Sequence, residues 1–266
     1  MGSAVAVRGR AVINIKVEGL DELRATLAGF SDRRFNAAVA TGLTRTGVLV
    51  RESIKTTMRR VFDRPTPYTM NALFLEKADA TRLVAKVWLK DDRAGSGTPA
   101  TEYLLPQVSG GARNVKRFEV GLRAIGALPA GWLVTPGAGA RLDAYGNVSK
   151  GQIIEVLSQL RITLLAGSTR NMSFDARRQI RAQRRAGGRF FVVAPGGRLQ
   201  PGVYQREFFG RNVTPVFAFV SRASYRKRLD FYGEASKVIE ANLQAEIGRG
   251  IAEQIERLAQ KTARPA

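Results

Sequence analysis

The stretch Asp63-Arg64-Pro65-Thr66-Pro67-Tyr68-Thr69 divides the chain. Pro65 and Pro67 lock their own φ angles and push Arg64 and Thr66 toward extended conformations, so a helix arriving from the N-terminal side must stop there. Such a helix is written into residues 33–61. Phe35, Val39, Leu43, Val50, Ile54, Met58 and Val61 recur every three or four residues with a gap at Gly47, which predicts about eight turns, roughly 43 Å. Its other face carries Arg34, Arg45, Arg51, Lys55 and Arg59. Beyond the turn, residues 72–78 and 83–90 alternate apolar and polar positions, the pattern of a half-buried antiparallel hairpin. Asp79-Ala80-Thr81-Arg82 joins the two strands, and a polar loop runs from Asp91 to Pro99.

Upstream, residues 11–17 alternate as a short strand and residues 20–30 show helical spacing, with Asp21 and Glu22 suited to a helix N-terminus. Downstream, residues 102–108 and 116–125 read as two short helices around Gly110-Gly111, and Ser149 can cap a helix through Ile153, Ile154, Leu157 and Leu160. Strand-like segments follow at 189–194, 202–209 and 213–220. The last element is a helix over 230–261, with Val238, Ile239, Leu243, Ile247, Ile251, Ile255 and Leu258 as its apolar stripe. The expected fold class is α+β: one domain, residues 1–266, in which a mainly antiparallel sheet containing all these strands is packed by two long amphipathic helices and carries extended loops or arms.

Composition narrows the chemistry. The 266 residues hold 43 Lys and Arg against 22 Asp and Glu, a formal net charge of +21, and contain no Cys and no His. Disulfides, Cys/His zinc sites, thiol nucleophiles and His-based triads are excluded. A charge this large calls for an anionic partner, either nucleic acid, through counterion release, or acidic faces of neighbouring protein subunits. The longest chargeless run, residues 124–140, is broken by Pro129, Pro136 and several glycines, so no membrane span is expected.

Two segments stand apart from the core pattern. Residues 126–147 lose periodicity around Trp132-Leu133-Val134 and read as a glycine-rich extended loop, or an arm for an adjacent subunit. Residues 166–189 form an arginine-rich insertion. Between 170 and 189 there are seven Arg and a single acid, Asp175, and Arg177, Arg178, Arg181, Arg184 and Arg185 are the candidates for facing DNA or an acidic partner. No aromatic residue is interleaved among the arginines from 177 to 189, so stacking on single-stranded bases is not suggested.

Catalysis without His or Cys would need carboxylates, metals or a Ser/Lys pair. Asp91-Asp92 could in principle hold a divalent ion for a nuclease, but neighbours on an extended segment point to opposite faces. Asp143-Ala144-Tyr145-Gly146-Asn147 lacks the spacing and terminal Glu of a calcium loop and reads as a turn. The glycines at 95–97 and 137–139 match neither a P-loop nor a dinucleotide fingerprint. No catalytic residue, metal site or cofactor is expected.

Seven pieces of the sequence, in one order, resemble a known family. They are the Asp63–Thr69 turn; Gly97-Thr98-Pro99-Ala100; Tyr103-Leu104-Leu105-Pro106-Gln107 with Gly110-Gly111; Lys116-Arg117-Phe118-Glu119; Tyr145-Gly146-Asn147; Pro201-Gly202-Val203-Tyr204-Gln205-Arg206; and Tyr225-Arg226-Lys227-Arg228-Leu229-Asp230-Phe231-Tyr232. Together they resemble the minor tail protein Z family of tailed bacteriophages and prophages, whose members are tail-completion proteins. The resemblance implies a virion structural protein at the head-tail junction, in the neck or tail, assembled as a ring around the DNA path. Tail symmetry makes a hexamer the expected ring. Other neck and tail proteins and packaged duplex DNA are the further partners it allows. On this view Arg64, Pro65, Pro67, Tyr68, Tyr103, Trp132, Tyr225 and Phe231 are candidates for subunit packing. The rival from charge alone is a free basic DNA-binding protein.

Overall fold

The computed structural model describes residues 11–26, 31–91, 98–160, 189–206, 212–222 and 224–262. The fold is α+β. Its strands are β1 (Val12–Ile15), β2 (Leu73–Glu76), β3 (Ala85–Leu89), β4 (Gly111–Ala112), β5 (Leu133–Pro136), β6 (Phe190–Val193), β7 (Gly202–Arg206), β8 (Val213–Val220) and β9 (Ser224–Tyr225). Its helices are α1 (Leu20–Thr26), α2 (Asp32–Val61), α3 (Pro67–Met70), α4 (Ala100–Ser109), α5 (Arg117–Ala124), α6 (Lys150–Gln159) and α7 (Phe231–Thr262). Where the sequence suggested a single domain, the chain divides into two compact units: unit 1, residues 1–111 and 225–266, and unit 2, residues 112–224.

In unit 1, α2 covers one face of a three-stranded antiparallel sheet of order β1-β3-β2. The alternation expected of the hairpin is present: Leu73, Ala85, Val87 and Leu89, with Ile13 and Ile15 of β1, are buried in the core that Phe35, Leu43, Val50, Ile54 and Met58 of α2 complete. α2 ends at Val61, ahead of the double-proline turn, where Phe62 is already extended at φ -103 and ψ 135; within the turn the expectation fails at Arg64. That residue adopts φ 44 instead of an extended conformation, and its guanidinium bonds to the Asp63 carboxylate. Pro65 disfavours the right-handed helical region at Arg64, and the left-handed region avoids it as an extended conformation would. Thr66 is extended and caps α3, its Oγ1 accepting from Thr69 N at 3.1 Å.

The second long helix does not cover the sheet. α7 packs chiefly along α2, with a smaller contact on β1. Arg60 lies 4.0 Å from Glu234, Gly42 abuts Ile247, and Gly250 abuts Ala38, so the two helices run antiparallel. Their backbones meet closely because two side chains are missing. A Cβ on Gly42 would lie 2.6 Å from Ile247 Cα, and one on Gly250 would lie 2.5 Å from the Ala38 carbonyl oxygen. In a core packed to crystal density no such atom fits without displacing backbone.

Unit 2 corrects the expectation of one sheet. β6, β7 and β8 do not join the hairpin of unit 1; with β5 they form a separate four-stranded antiparallel sheet of order β5-β8-β7-β6. Alternation reveals which face a strand buries, and says nothing about which strand it pairs with. Val134, Phe190, Val203, Phe217 and Phe219 of this sheet pack with Leu122 of α5 and Val156 and Leu157 of α6 in a second core. Ser149 caps α6 as expected, its Oγ accepting from Gln152 N.

The segment 126–147 is not a free arm. Its middle is the edge strand β5, and beyond it Gly137 N donates to Val216 O at 2.9 Å and Gly139 N to Pro215 O at 2.8 Å. A Cβ on Gly137 would lie 2.3 Å from the Pro215 carbonyl oxygen, so here glycine serves close backbone approach. The segment then closes as a small hairpin, with a bridge between Leu142 and Val148. Asp143 takes backbone N–H groups of Tyr145 and Asn147 on its carboxylate, which makes it the turn that its sequence suggests.

Candidate interaction surfaces

In unit 1 the candidate surface is the outer face of the three-stranded sheet. Residues that alternate away from α2 line up across the strands: Val12 opposes Trp88, and Trp88 opposes Phe74. The Phe74 and Trp88 rings sit 4.8 Å apart, and Phe74 is 46% exposed. The next row is Asn14, Lys86 and Glu76, where Lys86 and Arg82 share the Glu76 carboxylate. β2 is an edge strand, and its exposed Phe74 ring lies beside the half-buried Trp88.

The predicted packing residues separate in space. Tyr68 is exposed, its hydroxyl donating to the Thr98 carbonyl at 2.8 Å, and its ring lies 6.2 Å from that of Tyr103. Burial pushes the Tyr103 hydroxyl above its ordinary pKa. Arg64 and Pro67 are exposed and Pro65 is half-buried, all at the end of α2. Tyr225 is 37% exposed. Phe231 is a correction: at 0% exposure it lies in the core of unit 1 beside Leu229 and Ala235, where no second subunit reaches it. Trp132 is half-buried against the core of unit 2, and its carbonyl accepts from Arg123 Nη2 at 2.7 Å. Arg177, Arg178, Arg181, Arg184 and Arg185 lie outside the described residues.

Unit 2 is built around buried polar side chains that the sequence reading passed over. Glu119, fully buried, accepts from Arg113 through both carboxylate oxygens, from Lys116 N at 2.7 Å and from Val134 N at 2.7 Å. Arg113 Nη2 also donates to Val134 O. Burial alone would raise the Glu119 pKa, but the hydrogen bonds from Arg113, Lys116 and Val134 outweigh it and hold the carboxyl below its ordinary range. This joins the start of α5 to β5. The signal was a Glu three residues into a helix, the position from which a carboxylate reaches back to the cap.

The two ends of α6 are tied in the same way. Gln152 accepts from Arg141 N at 2.7 Å and donates to Gly139 O at 2.8 Å. Gln159 Oε1 accepts from Arg189 N and Phe190 N at 3.1 and 3.2 Å. Between them Glu155 receives Arg141 on one oxygen and Arg189 on the other.

Charge is divided unequally. Residues 112–224 hold 18 Lys and Arg against 5 Asp and Glu, a net +13; the rest of the chain holds 25 against 17, a net +8. Among the described residues no helix is long and apolar enough to cross a membrane. No family model, curated protein or solved structure matches the chain.

Proposed function

We propose that the chain is a tail-completion protein of a tailed bacteriophage or prophage, a virion structural component of the neck or tail that assembles as a ring around the DNA path, with six subunits by analogy with tail symmetry. It acts by binding and not by catalysis. The observation that carries this reading is the run of seven family-like pieces, in order, from Asp63 to Tyr232. Two structural features support it. The Val12–Trp88–Phe74 row, half-buried at Val12 and Trp88 and exposed at Phe74, gives unit 1 an apolar strip on which a neighbouring subunit could pack. Unit 2 carries most of the excess positive charge, which suits a protein whose neighbours are DNA or acidic subunits.

The test is electron microscopy of lysates from the encoding phage or prophage with this gene removed, beside a complemented control. Unjoined heads and tails, or joined particles that do not infect, are the expected result. Normal infectious particles would refute it and favour a free basic DNA-binding protein, the reading that rests on the net charge of +21 alone.

A further inference from the structure

We propose that a second copy of this chain pairs with β2 along its free edge, so that the three-stranded sheets of two copies of unit 1 become one continuous antiparallel sheet. The pairing does not rest on the phage reading. An isologous contact closes with two copies and is separate from any contact that propagates a ring.

β2 ends its sheet. Lys90 N donates to Ala72 O at 2.8 Å, which turns residues 72, 74 and 76 toward β3 and leaves the N–H and C=O groups of Leu73 and Leu75 facing away from it. Those groups have no hydrogen-bond partner among the described residues. The other edge, β1, is covered: α7 touches it, and the Tyr232 hydroxyl accepts from the Val12 backbone. Natural edge strands are guarded by a charge, a proline, a bulge or a covering element, and Leu73-Phe74-Leu75 carries no charge, proline or bulge.

The occupant follows from the edge's complementarity to itself. With a two-fold axis at Phe74, Leu73 of each copy meets Leu75 of the other, and the free N–H and C=O groups of both residues find partners. Phe74 falls opposite Phe74 of the second copy, so the Phe74–Trp88 row, its rings 4.8 Å apart, continues across the axis into the same row of that copy. Glu76, which binds Arg82 and Lys86 on its own side, falls opposite Ala72, with Lys90 of the second copy next in the row. No like charges are opposed. Moving the axis to Leu75 would set Phe74 against Glu76, and moving it to Glu76 would oppose two carboxylates. On the α2 side the apolar surface of this edge continues through half-buried Leu75 to Val48, which is 36% exposed one turn beyond Thr44, the acceptor of Ala78 N.

The experiment is sedimentation velocity of the purified full chain over a range of concentration, with oxidation of single-cysteine variants beside it. A concentration-dependent dimer is expected. Phe74→Lys sets two ammonium groups against each other at an exposed position, and Leu75→Pro removes an edge N–H without touching the ladder to β3; each should raise the dimer dissociation constant at least about 10-fold. The chain has no Cys, so one introduced thiol reports one contact. Residue 74 would sit in a non-hydrogen-bonded pair with Cα atoms about 4.5 Å apart, within disulfide reach, so Phe74→Cys should give a disulfide-linked dimer on mild oxidation. Glu76→Cys, whose two thiols would lie about 14 Å apart, should not. A monomer at every concentration overturns the pairing, as does a dimer that neither Phe74→Lys nor Leu75→Pro weakens. A disulfide through Glu76→Cys and none through Phe74→Cys overturns the register. A monomeric chain together with defective particles on gene removal would end this inference and leave the tail-completion reading standing.

Discussion

The two units reach stability by different means. Among its described residues unit 1 buries 25 apolar side chains in one cluster, and it brings two long helices into backbone contact at Gly42 and Gly250. Unit 2 buries 11 among its described residues, and holds its sheet to α5 and α6 with Glu119, Gln152 and Gln159. Apolar burial tolerates exchange of one hydrophobic side chain for another of similar volume. A buried polar side chain with several assigned partners does not, because losing it strands every partner. Unit 1 should therefore be sensitive to added volume at its helix contact, and unit 2 to lost hydrogen bonds.

The largest effect is expected from Glu119→Ala. Arg113, only 9% exposed, is left without its carboxylate, and the amides of Lys116 and Val134 lose their acceptor. Breaking a buried pair on one side costs about 3–5 kcal/mol, which should lower the unfolding of unit 2 and leave that of unit 1 in place, as read by calorimetry. Removing Arg113 as well, as Met, should recover part of the loss.

Next comes Gly42→Val. The new side chain meets Ile247 Cα and the Glu246 carbonyl oxygen, and overpacking of this kind costs about 1–3 kcal/mol or more. Thermal melts should show the change in unit 1 alone.

Acid sharpens the same contrast. The pKa of Glu119 is lowered on folding, so its contribution is fully present above its unfolded pKa and is lost as pH falls through the lower folded value. Unit 2 should weaken as pH drops below about 4.3, the ordinary value for Glu, and Glu119→Gln should remove that dependence while lowering stability at neutral pH. In unit 1 the Glu253 carboxyl is also held below its ordinary range by its hydrogen bond from Arg45, but that pair is about a third exposed and screened by solvent, so Arg45→Ala should reduce the acid dependence of unit 1 by less than Glu119→Gln reduces that of unit 2.

A smaller effect is expected at Gln152. Its change to Ala removes the acceptor of Arg141 N and the donor to Gly139 O, worth about 1–2 kcal/mol to unit 2. The turn after α2 should respond least. Arg64 holds a left-handed conformation, so Arg64→Gly relieves strain of up to about 1 kcal/mol in unit 1, and a rise in its melting temperature would register it.

Much of unit 1 was legible in the sequence because its elements are long and periodic. The stripe from Phe35 to Met58, the alternation on either side of Thr81-Arg82 and the stripe from Ile239 to Ile251 each bury the face they predict. The helix contact was not legible. Gly42 and Gly250 lie within helical patterns where a glycine reads only as a weak point, and no periodicity tells which helix will press against it. The division into two sheets was hidden for a related reason, since strand pairing is a long-range choice that local alternation does not encode.

The candidate surfaces were legible in part. Excess arginine in residues 112–224 could be counted directly, and the turn at Asp143 could be read from its residues. Glu119, Gln152 and Gln159 could not be found by type, because a buried acid or amide looks like a surface residue until its partners are in place. Phe231 shows the opposite error, an aromatic residue assigned to an interface that instead fills a core.

Calorimetry of the full chain at neutral pH, run for the wild type, Gly42→Val and Glu119→Ala, tests the separate cores most directly. Two transitions are predicted, one moved by Gly42→Val and the other by Glu119→Ala. A single transition that both substitutions lower together would contradict the division and require one cooperative domain.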